Sequence, residues 1–334
     1  MPRIAIAKKD ISFDCADDDT ILRAALRAGV GLGYDCNVGS CGNCRFELLS
    51  GRVTHLRENP PGLSEADKER NRYLGCQARA DTDCMIKLPV RDDFAPAIRP
   101  RRLSAVSIGH RDITHDMREF RFRLDVPQPF LPGQYVLLSL PGSGIQRAYS
   151  LSNADTDAEW HLCVRRVVGG EMTAALFDRM QIGQQVAFDG PYGRAFLRED
   201  VPRDVLCIAG GSGLAPMLSI ARAFSRRRLM KPYKLRFFYG ARTPADVCGR
   251  SDLELLPEFG SRIHYDAVVS DESNSDGWTG SVGMVADLVS LTLGETLKNH
   301  EIYFAGPPAM ADSVTKMALG RGVSMSQMHY DRFY

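Results

Sequence analysis

The chain has 334 residues, enough for two or three domains each with its own core. With 44% hydrophobic and 25% charged residues and a formal net charge of +1, its surface as a whole draws neither nucleic acid nor an anionic membrane. No apolar run approaches the roughly 20 residues of a membrane span, and MPRIAIAKKDIS lacks the apolar stretch of a secretory signal, so a reducing cytoplasm is expected, where nine cysteines read as ligands or buried thiols rather than disulfides.

IAIAKKDISFDC predicts a hairpin turning near Lys9 and Asp10. TILRAALRAG predicts a short helix with Ile21, Leu22, Ala25 and Leu26 on one face and Gly29 as its stop. YDCNVGSCGNC then places Cys36, Cys41 and Cys44 in the spacing C-x4-C-x2-C, and a fourth cysteine, Cys76, follows in YLGCQAR. This is the plant-type spacing for a 2Fe-2S cluster held by four thiolates. Three ligands from one loop require tight turning, which Gly39 and Gly42 permit, and loop amides can point at the sulfurs. Structural zinc would use two C-x2-C knuckles, and only Cys41–Cys44 has that form. Cys15, Cys84, Cys163, Cys207 and Cys248 fit no ligand pattern and read as small buried hydrophobes. RFELLSGRVT predicts a second hairpin turning at Ser50 and Gly51, SEAD at 64–67 a capping box opening a helix, and MIKLPV a closing strand. Residues 1–93 carry 14 basic and 15 acidic side chains, so this part is close to neutral. RDDFAPAIRPRRL, with Pro96 and Pro100, reads as a linker.

MREFRFRLDV alternates Phe120, Phe122, Leu124 and Val126, and PGQYVLLSL and EWHLCVRRV follow between Gly and Pro turns. Strands at this spacing predict a small antiparallel barrel. Within it RAYS, 147–150, lies about twenty residues before GGEMTAALF, whose glycines before an apolar segment offer free amides to a phosphate; Arg147 can add a fixed cation. The last third alternates strand and helix: VLCIAG, APMLSIARAFSRR, KLRFFYGAR, SDLELLPEF, IHYDAVVS, VGMVADLV, EIYFAG and PPAMADSVTKMALGRG. That order predicts a doubly wound parallel sheet. Its first turn, GGSGLAP, lets backbone approach a pyrophosphate although Pro216 stands where a third glycine would be, and AGPPAM ends the late strand where such sheets bind ligands. None of the seven histidines has catalytic spacing; His110, His115 and His161 read as surface or strand residues.

R-x-Y-S, GG-x-x-[ST], GG-[ST]-G-x-AP, YGAR and AGPP in this order resemble the ferredoxin–NADP+ reductase superfamily. With a plant-type ferredoxin segment in front, the chain resembles the reductase components of bacterial multicomponent aromatic-ring oxygenases, naphthalene and carbazole dioxygenase reductases among them. The resemblance covers essentially the whole length. It implies a multidomain α+β and α/β protein: a β-grasp ferredoxin domain at 1–93, a linker at 94–102, an antiparallel β-barrel flavin domain at 103–200 and a doubly wound NAD domain at 201–334. It implies cluster ligation by Cys36, Cys41, Cys44 and Cys76. It implies flavin contacts from Arg147, Ala148, Tyr149, Ser150, Val164, Arg165, Gly169, Gly170 and Thr173, with Tyr149 and Ser150 at the ring where hydride arrives. It implies NADH contacts from Gly211, Ser212, Gly213, Arg242, Asp271, Gly306 and Pro307. Phe333 or Tyr334, at the end of HYDRFY, would pack beside the isoalloxazine. Ala305 departs from the cysteine that many members place before GPP.

The order of parts implies electrons running from NADH to flavin to cluster and out to a terminal oxygenase or an intermediate ferredoxin, since a flavin accepts a pair and a cluster takes one at a time. FAD is expected over FMN, because the FMN reductases of this superfamily carry the ferredoxin segment at the C-terminus. VVSDES places Asp271 where NADPH-preferring relatives have arginine, so NADH is the expected donor. A monomer with no nucleic-acid or membrane partner is expected. Two alternatives stay open at this point: a reductase of the same architecture serving deoxysugar synthesis, and a redox sensor that binds NADH and the cluster without turnover.

Overall fold

The structure, a computed structural model, describes residues 1–271 and 277–333. It divides into two compact units, Met1–Arg102 with Asp189–Tyr192, and Leu103–Phe188 with Gly193 onward.

The first unit is built on strands β1 (Arg3–Ile6), β2 (Ser12–Asp14), β3 (Arg45–Ser50), β4 (Val53–His55), β5 (Arg72–Leu74), β6 (Ala78–Ala80) and β7 (Cys84–Lys87). Five of them form a sheet in the order β2-β1-β7-β3-β5. β1 and β2 are the expected hairpin, with Ile4 opposite Phe13, and β7 closes on β1 in parallel. Two-residue alternation buries Ile4, Ile6, Phe46, Leu48 and Ile86. Helix α1 (Ile21–Arg27) starts where the Thr20 side chain accepts from the Arg23 amide and stops at Gly29, whose φ of 84° ends the turn. Helix α2 (Glu65–Glu69) opens on the expected Ser64–Asp67 capping box.

The second hairpin does not form. β3 pairs with β5 and β7, whereas β4 pairs with β6 in a separate ribbon. A register shift between Leu48 and Ser50 bends β3 out of the sheet, and Gly51 (φ 96°) then runs so close to Asp83 that a Cβ there would lie 2.3 Å from its carbonyl oxygen. The chain bends at Gly51, and tertiary contact hands Val53 to Ala80 instead of back to β3.

The second unit contains the barrel strands β8 (Arg101–Asp112), β9 (Met117–Leu124), β10 (Tyr135–Ser139), β11 (Gln146–Ser150), β12 (Glu159–Arg165) and β13 (Gln185–Tyr192), the ends of β8 and β13 belonging to the first unit. Their order is β11-β10-β13-β8-β9-β12, and an antiparallel bridge between Leu151 and Leu162 joins the two edges. Phe122 and Trp160 pack edge-on against Phe188 in its core. Val126 is exposed because β9 ends at Leu124. The helix expected after Gly170 is short: α3 (Glu171–Ala174) runs into a π turn at Ala175–Arg179.

The other sheet of this unit is wholly parallel: β14 (Asp204–Gly210), β15 (Leu235–Ala241), β16 (Ile263–Val269), β17 (Ser281–Val282), β18 (His300–Gly306) and β19 (Met328–Arg332), in the order β17-β16-β15-β14-β18-β19. Helices α4 (Leu214–Arg226), α5 (Arg250–Glu254), α6 (Val285–Leu293) and α7 (Pro308–Gly320) supply apolar residues to two cores. Leu214, Met217, Leu218 and Phe224 fill one, and Val285, Val289, Ala311 and Val314 the other. The strand order reverses at β14, with β15 on one side and β18 on the other. The stretch from His329 to Phe333 is not a loose tail. Its first residues form β19 beside β18, with Tyr330 stacked on Phe304 at 4.9 Å and His329 on Tyr303 at 5.0 Å. Among the described residues no helix is long and apolar enough to cross a membrane.

Candidate functional site

The loop between α1 and β3 carries three of the four cysteines expected as ligands, Cys36, Cys41 and Cys44. Asn37, Gly39 and Gly42 hold φ values of 54°, 87° and 78°, which fold it back on itself. A Cβ on Gly42 would come 2.8 Å from the Gly62 carbonyl oxygen, and one on Gly39 3.0 Å from Gln77. Main-chain N–H groups of Ser40 and Cys41 each donate to Cys36 Sγ at 3.3 Å, Asn43 to Cys41 Sγ at 3.5 Å, and Cys76 to Cys44 Sγ at 3.5 Å. Cys44 and Cys76 are buried, while Cys36 and Cys41 are half-buried.

The thiols act on one another in pairs. Cys41, and after it the loop amides, pull the Cys36 thiol down to about 6 against the effect of burial. Contact with Cys44 first, and the charge of Arg23 after it, pull Cys76 below the ordinary thiol range, again against burial. Their partners are pushed up, Cys41 by Cys36 and then burial, Cys44 by Cys76 and then burial. Asn37 Nδ2 is buried with no hydrogen-bond partner. Four convergent thiols, amides already aimed at sulfur and a spare buried donor fit an iron–sulfur cluster. The other five cysteines are buried, as expected; burial raises Cys15 to about 11 and Cys248 to about 12.

β11 carries Arg147, Ala148, Tyr149 and Ser150. Arg147 is exposed, and its guanidinium donates to the Gln146 carbonyl at 2.9 Å. Tyr149 lies half-buried against the barrel core, where burial raises its phenol, and Ser150 is buried. The Leu151–Leu162 bridge sets this strand beside β12, which ends in Val164 and Arg165. In the loop that follows, Gly169 has a φ of 71°. A Cβ on Gly170 would come 2.7 Å from Thr173 Oγ1. The Thr173 hydroxyl accepts from the Val167 amide at 3.2 Å and lies 3.0 Å from the Gly170 carbonyl oxygen, so it braces the glycine loop from within.

Two motifs more than ninety residues apart meet at the switch point of the parallel sheet. Gly211, Ser212 and Gly213 form one 3-10 turn between β14 and α4. A Cβ on Gly213 would lie 2.0 Å from the Ala305 carbonyl oxygen, and one on Gly306 2.7 Å from Met310 Cε and 3.2 Å from the Gly210 carbonyl oxygen. Ala305 is fully buried and Pro307 exposed. At the ends of β15 and β16 the Asp271 amide donates to the Arg242 carbonyl at 2.9 Å, which makes these two expected residues neighbours. The Phe333 amide donates to the Gly306 carbonyl at 3.0 Å, and its half-buried ring packs on the core around Leu214 and Met217. Tyr334 lies outside the described residues, as do residues 272–276.

Several site neighbours were not singled out from sequence. Tyr239, within YGAR, donates its hydroxyl to the Gly211 carbonyl at 3.2 Å. Met310, within AGPPAM, fills the space beside Gly210 and Gly306. Arg165, which the resemblance did mark as a flavin contact, reaches within 3.4 Å of the Cβ position of Gly211 and is held by two acids the sequence did not mark, Asp116 at 2.6 Å and Asp246 at 3.1 Å. His115 joins those two carboxylates in a group whose ligand atoms lie within 4.8 Å of one another, but the guanidinium already balances both acids. Buried Glu119 and Asp252 share Arg111 and Arg222, an ion network that ties β8 and β9 to α4 and α5. Motif spacing carried no sign of these pairings, because their partners are up to 141 residues apart.

Three families match in chain order: a 2Fe-2S iron-sulfur cluster binding domain at residues 4–81, an oxidoreductase FAD-binding domain at 105–196 and an oxidoreductase NAD-binding domain at 207–316. The chain is 39% identical over 325 residues to the ferredoxin–NAD(P)(+) reductase CarAd of Metapseudomonas resinovorans, covering 96% of each. It is 36% identical over 326 residues to the ferredoxin–NAD(+) reductase component of the alkene monooxygenase system of Xanthobacter autotrophicus, covering 96% of this chain and 98% of that one. The solved ferredoxin reductase in carbazole 1,9a-dioxygenase superposes with a TM-score of 0.92 at 36% identity, covering 100% of this chain and 98% of that one.

Proposed function

We propose, from the premise that this chain belongs to the ferredoxin–NAD(P)+ reductase components of oxygenase systems, that it takes electrons from NADH and delivers them singly to a terminal oxygenase or to a ferredoxin serving one. It is an oxidoreductase with FAD, NAD and 2Fe-2S domains. The observation that carries the reading is the meeting of the GGSG and AGPP turns at the β14–β18 switch in a chain that also holds a four-thiol loop. When bound, the flavin and the cluster convert a hydride's electron pair into single electrons.

The chain's residues do the positioning. Gly211, Ser212 and Gly213 present bare backbone to the dinucleotide pyrophosphate, and Gly306 and Pro307 shape the nicotinamide side. Arg147, exposed on β11, supplies a cation to the flavin pyrophosphate; Ala148, Val164 and Arg165 line the same side, and Gly169 and Gly170 offer amides from the loop that Thr173 braces. Tyr149 and Ser150 face the reacting ring. Cys36, Cys41, Cys44 and Cys76 ligate the cluster, and the loop amides stabilise its charge. We divide the chain at 1–93, 94–102, 103–200 and 201–334 and read it as a cytoplasmic monomer; limited proteolysis and sedimentation velocity test the boundaries and the mass.

Asp271, half-buried beside Arg242, would accept a hydrogen bond from a ribose 2′-hydroxyl and repel a 2′-phosphate. In steady-state turnover with a one-electron protein acceptor, kcat/KM for NADH is expected to exceed that for NADPH by about tenfold or more, the equivalent of one misplaced charge contact at roughly 1.4 kcal/mol. Equal values would refute the assignment of Asp271, and failure to oxidise NADH at all with any acceptor would refute the reductase reading.

Phe333, tethered to Gly306 by its amide, is the residue we place beside the isoalloxazine, in preference to Tyr334. Phe333→Ala is expected to raise the leak of electrons to oxygen and shift NADH KM by about two- to tenfold, matching the roughly 0.5–1.5 kcal/mol of an aromatic stack. An unchanged leak, KM and flavin spectrum would remove Phe333 from the site.

A further inference from the structure

We infer that Arg23 is a buried counter-charge for the iron–sulfur cluster, a positioning and tuning residue that raises its reduction potential. The inference rests on the cluster reading above. Arg23 lies on α1 and is only 8% exposed. A guanidinium removed from water costs several kcal/mol unless an anion balances it. Yet its hydrogen bonds go to two neutral acceptors on one residue, Asn37 Oδ1 at 3.2 Å and the Asn37 carbonyl oxygen at 3.3 Å. Among the described residues it has no carboxylate partner, whereas Arg27, one turn further along the same helix, pairs with Asp19 at 2.8 Å.

The surroundings identify the missing anion. Asn37 follows Cys36 in the ligand loop and is itself 1% exposed. On the other side, the amide of Leu22, next to Arg23, donates to the carbonyl of Gly75, which precedes Cys76, at 2.9 Å. A Cβ on Gly75 would meet Leu22 Cβ at 3.3 Å, so helix and ligand segment are in direct contact. One turn of α1 therefore grips the chain just after one ligand and just before another. The anion that belongs there is the cluster with its four thiolates.

Reduction of that cluster takes one electron from the reduced flavin, makes and breaks no bond, and adds one negative charge to a site already negative. A fixed cation held by Asn37 favours the reduced form without any rearrangement.

The test is a spectroelectrochemical titration of the cluster in the full chain, with the electron paramagnetic resonance signal of the reduced cluster as the readout. Arg23→Gln keeps a hydrogen-bonding side chain and removes the charge. At a fixed poise its ratio of reduced to oxidised cluster is expected to fall about tenfold, a shift of about 59 mV for a one-electron couple. Arg23→Lys restores most of the wild-type ratio. A wild-type ratio in Arg23→Gln, or a loss in Arg23→Lys as large as in Arg23→Gln, overturns the inference. If Arg23→Gln fails to hold iron, Asn37→Gly decides: it suits the positive φ, keeps the charge and removes one of the two acceptors that fix the guanidinium, leaving the main-chain carbonyl. A smaller fall in the same direction supports the proposal, and no change overturns it. Iron content separates the two levels, since a wild-type chain that binds no iron overturns the cluster reading as well, while iron with an unmoved potential overturns this proposal alone.

Discussion

Cys41→Ser is expected to abolish electron delivery to a protein acceptor while leaving NADH-driven reduction of the flavin intact. Cys41 is half-buried in the ligand loop, its sulfur accepting the Asn43 amide. A serine hydroxyl does not ionise in the range where a thiolate binds iron, so the cluster is lost or bound weakly. The positions assigned to flavin and dinucleotide all lie in the second compact unit, outside the loop. Rapid mixing of the variant with NADH should bleach the flavin at the wild-type rate, whereas transfer to a one-electron acceptor falls to the level of a cluster-free chain. A folded, FAD-loaded variant whose flavin no longer responds to NADH would show that hydride uptake depends on the cluster and would sink the modular reading.

Gly213→Ala is expected to have an equally large effect at the other end of the electron path. Its Cβ would stand 2.0 Å from the Ala305 carbonyl oxygen and 2.4 Å from the carbonyl carbon. Both are main-chain atoms of β18, so no flexible side chain can swing away. Either the turn lifts off the strand or the strand end shifts, and in both cases the GGSG and AGPP backbones part. Ordinary overpacking costs roughly 1–3 kcal/mol, and a main-chain overlap this deep lies at or beyond the upper end. The rate of flavin reduction by NADH should drop about 100-fold with FAD still bound. Gly320→Ala is the control, because nothing lies within 4 Å of the Cβ position at the end of α7. If Gly213→Ala kept wild-type NADH kinetics, close approach of the two turns would not be needed for dinucleotide binding.

The features legible in the sequence were local ones. The cysteine spacing, the capping box at Ser64 and the stop at Gly29 each depend on residues within a few positions of one another. So did the alternation of apolar residues that marks most strands, because period two and period 3.6 are properties of the backbone itself. The GGSG turn was readable as a place where backbone approaches a phosphate and AGPP as the end of a ligand-binding strand, and the parallel sheet followed from strands and helices in strict alternation.

What only the tertiary structure decided is what a segment meets. The chain bends at Gly51, but the hairpin its letters suggest does not form: β4 pairs with β6 because Gly51 is pressed against Asp83 and the bulge in β3 points the chain away. Met328–Arg332 form a sixth parallel strand because β18 offers an open edge, a fact absent from the letters themselves. Arg165 between Asp116 and Asp246, Glu119 and Asp252 between two arginines, and Arg23 on Asn37 are charges whose partners come from distant segments or other elements. A sequence records which groups carry charge. Burial and distance decide which of them find a partner, and among the described residues Arg23, buried against the loop that carries Cys36, has none among the carboxylates.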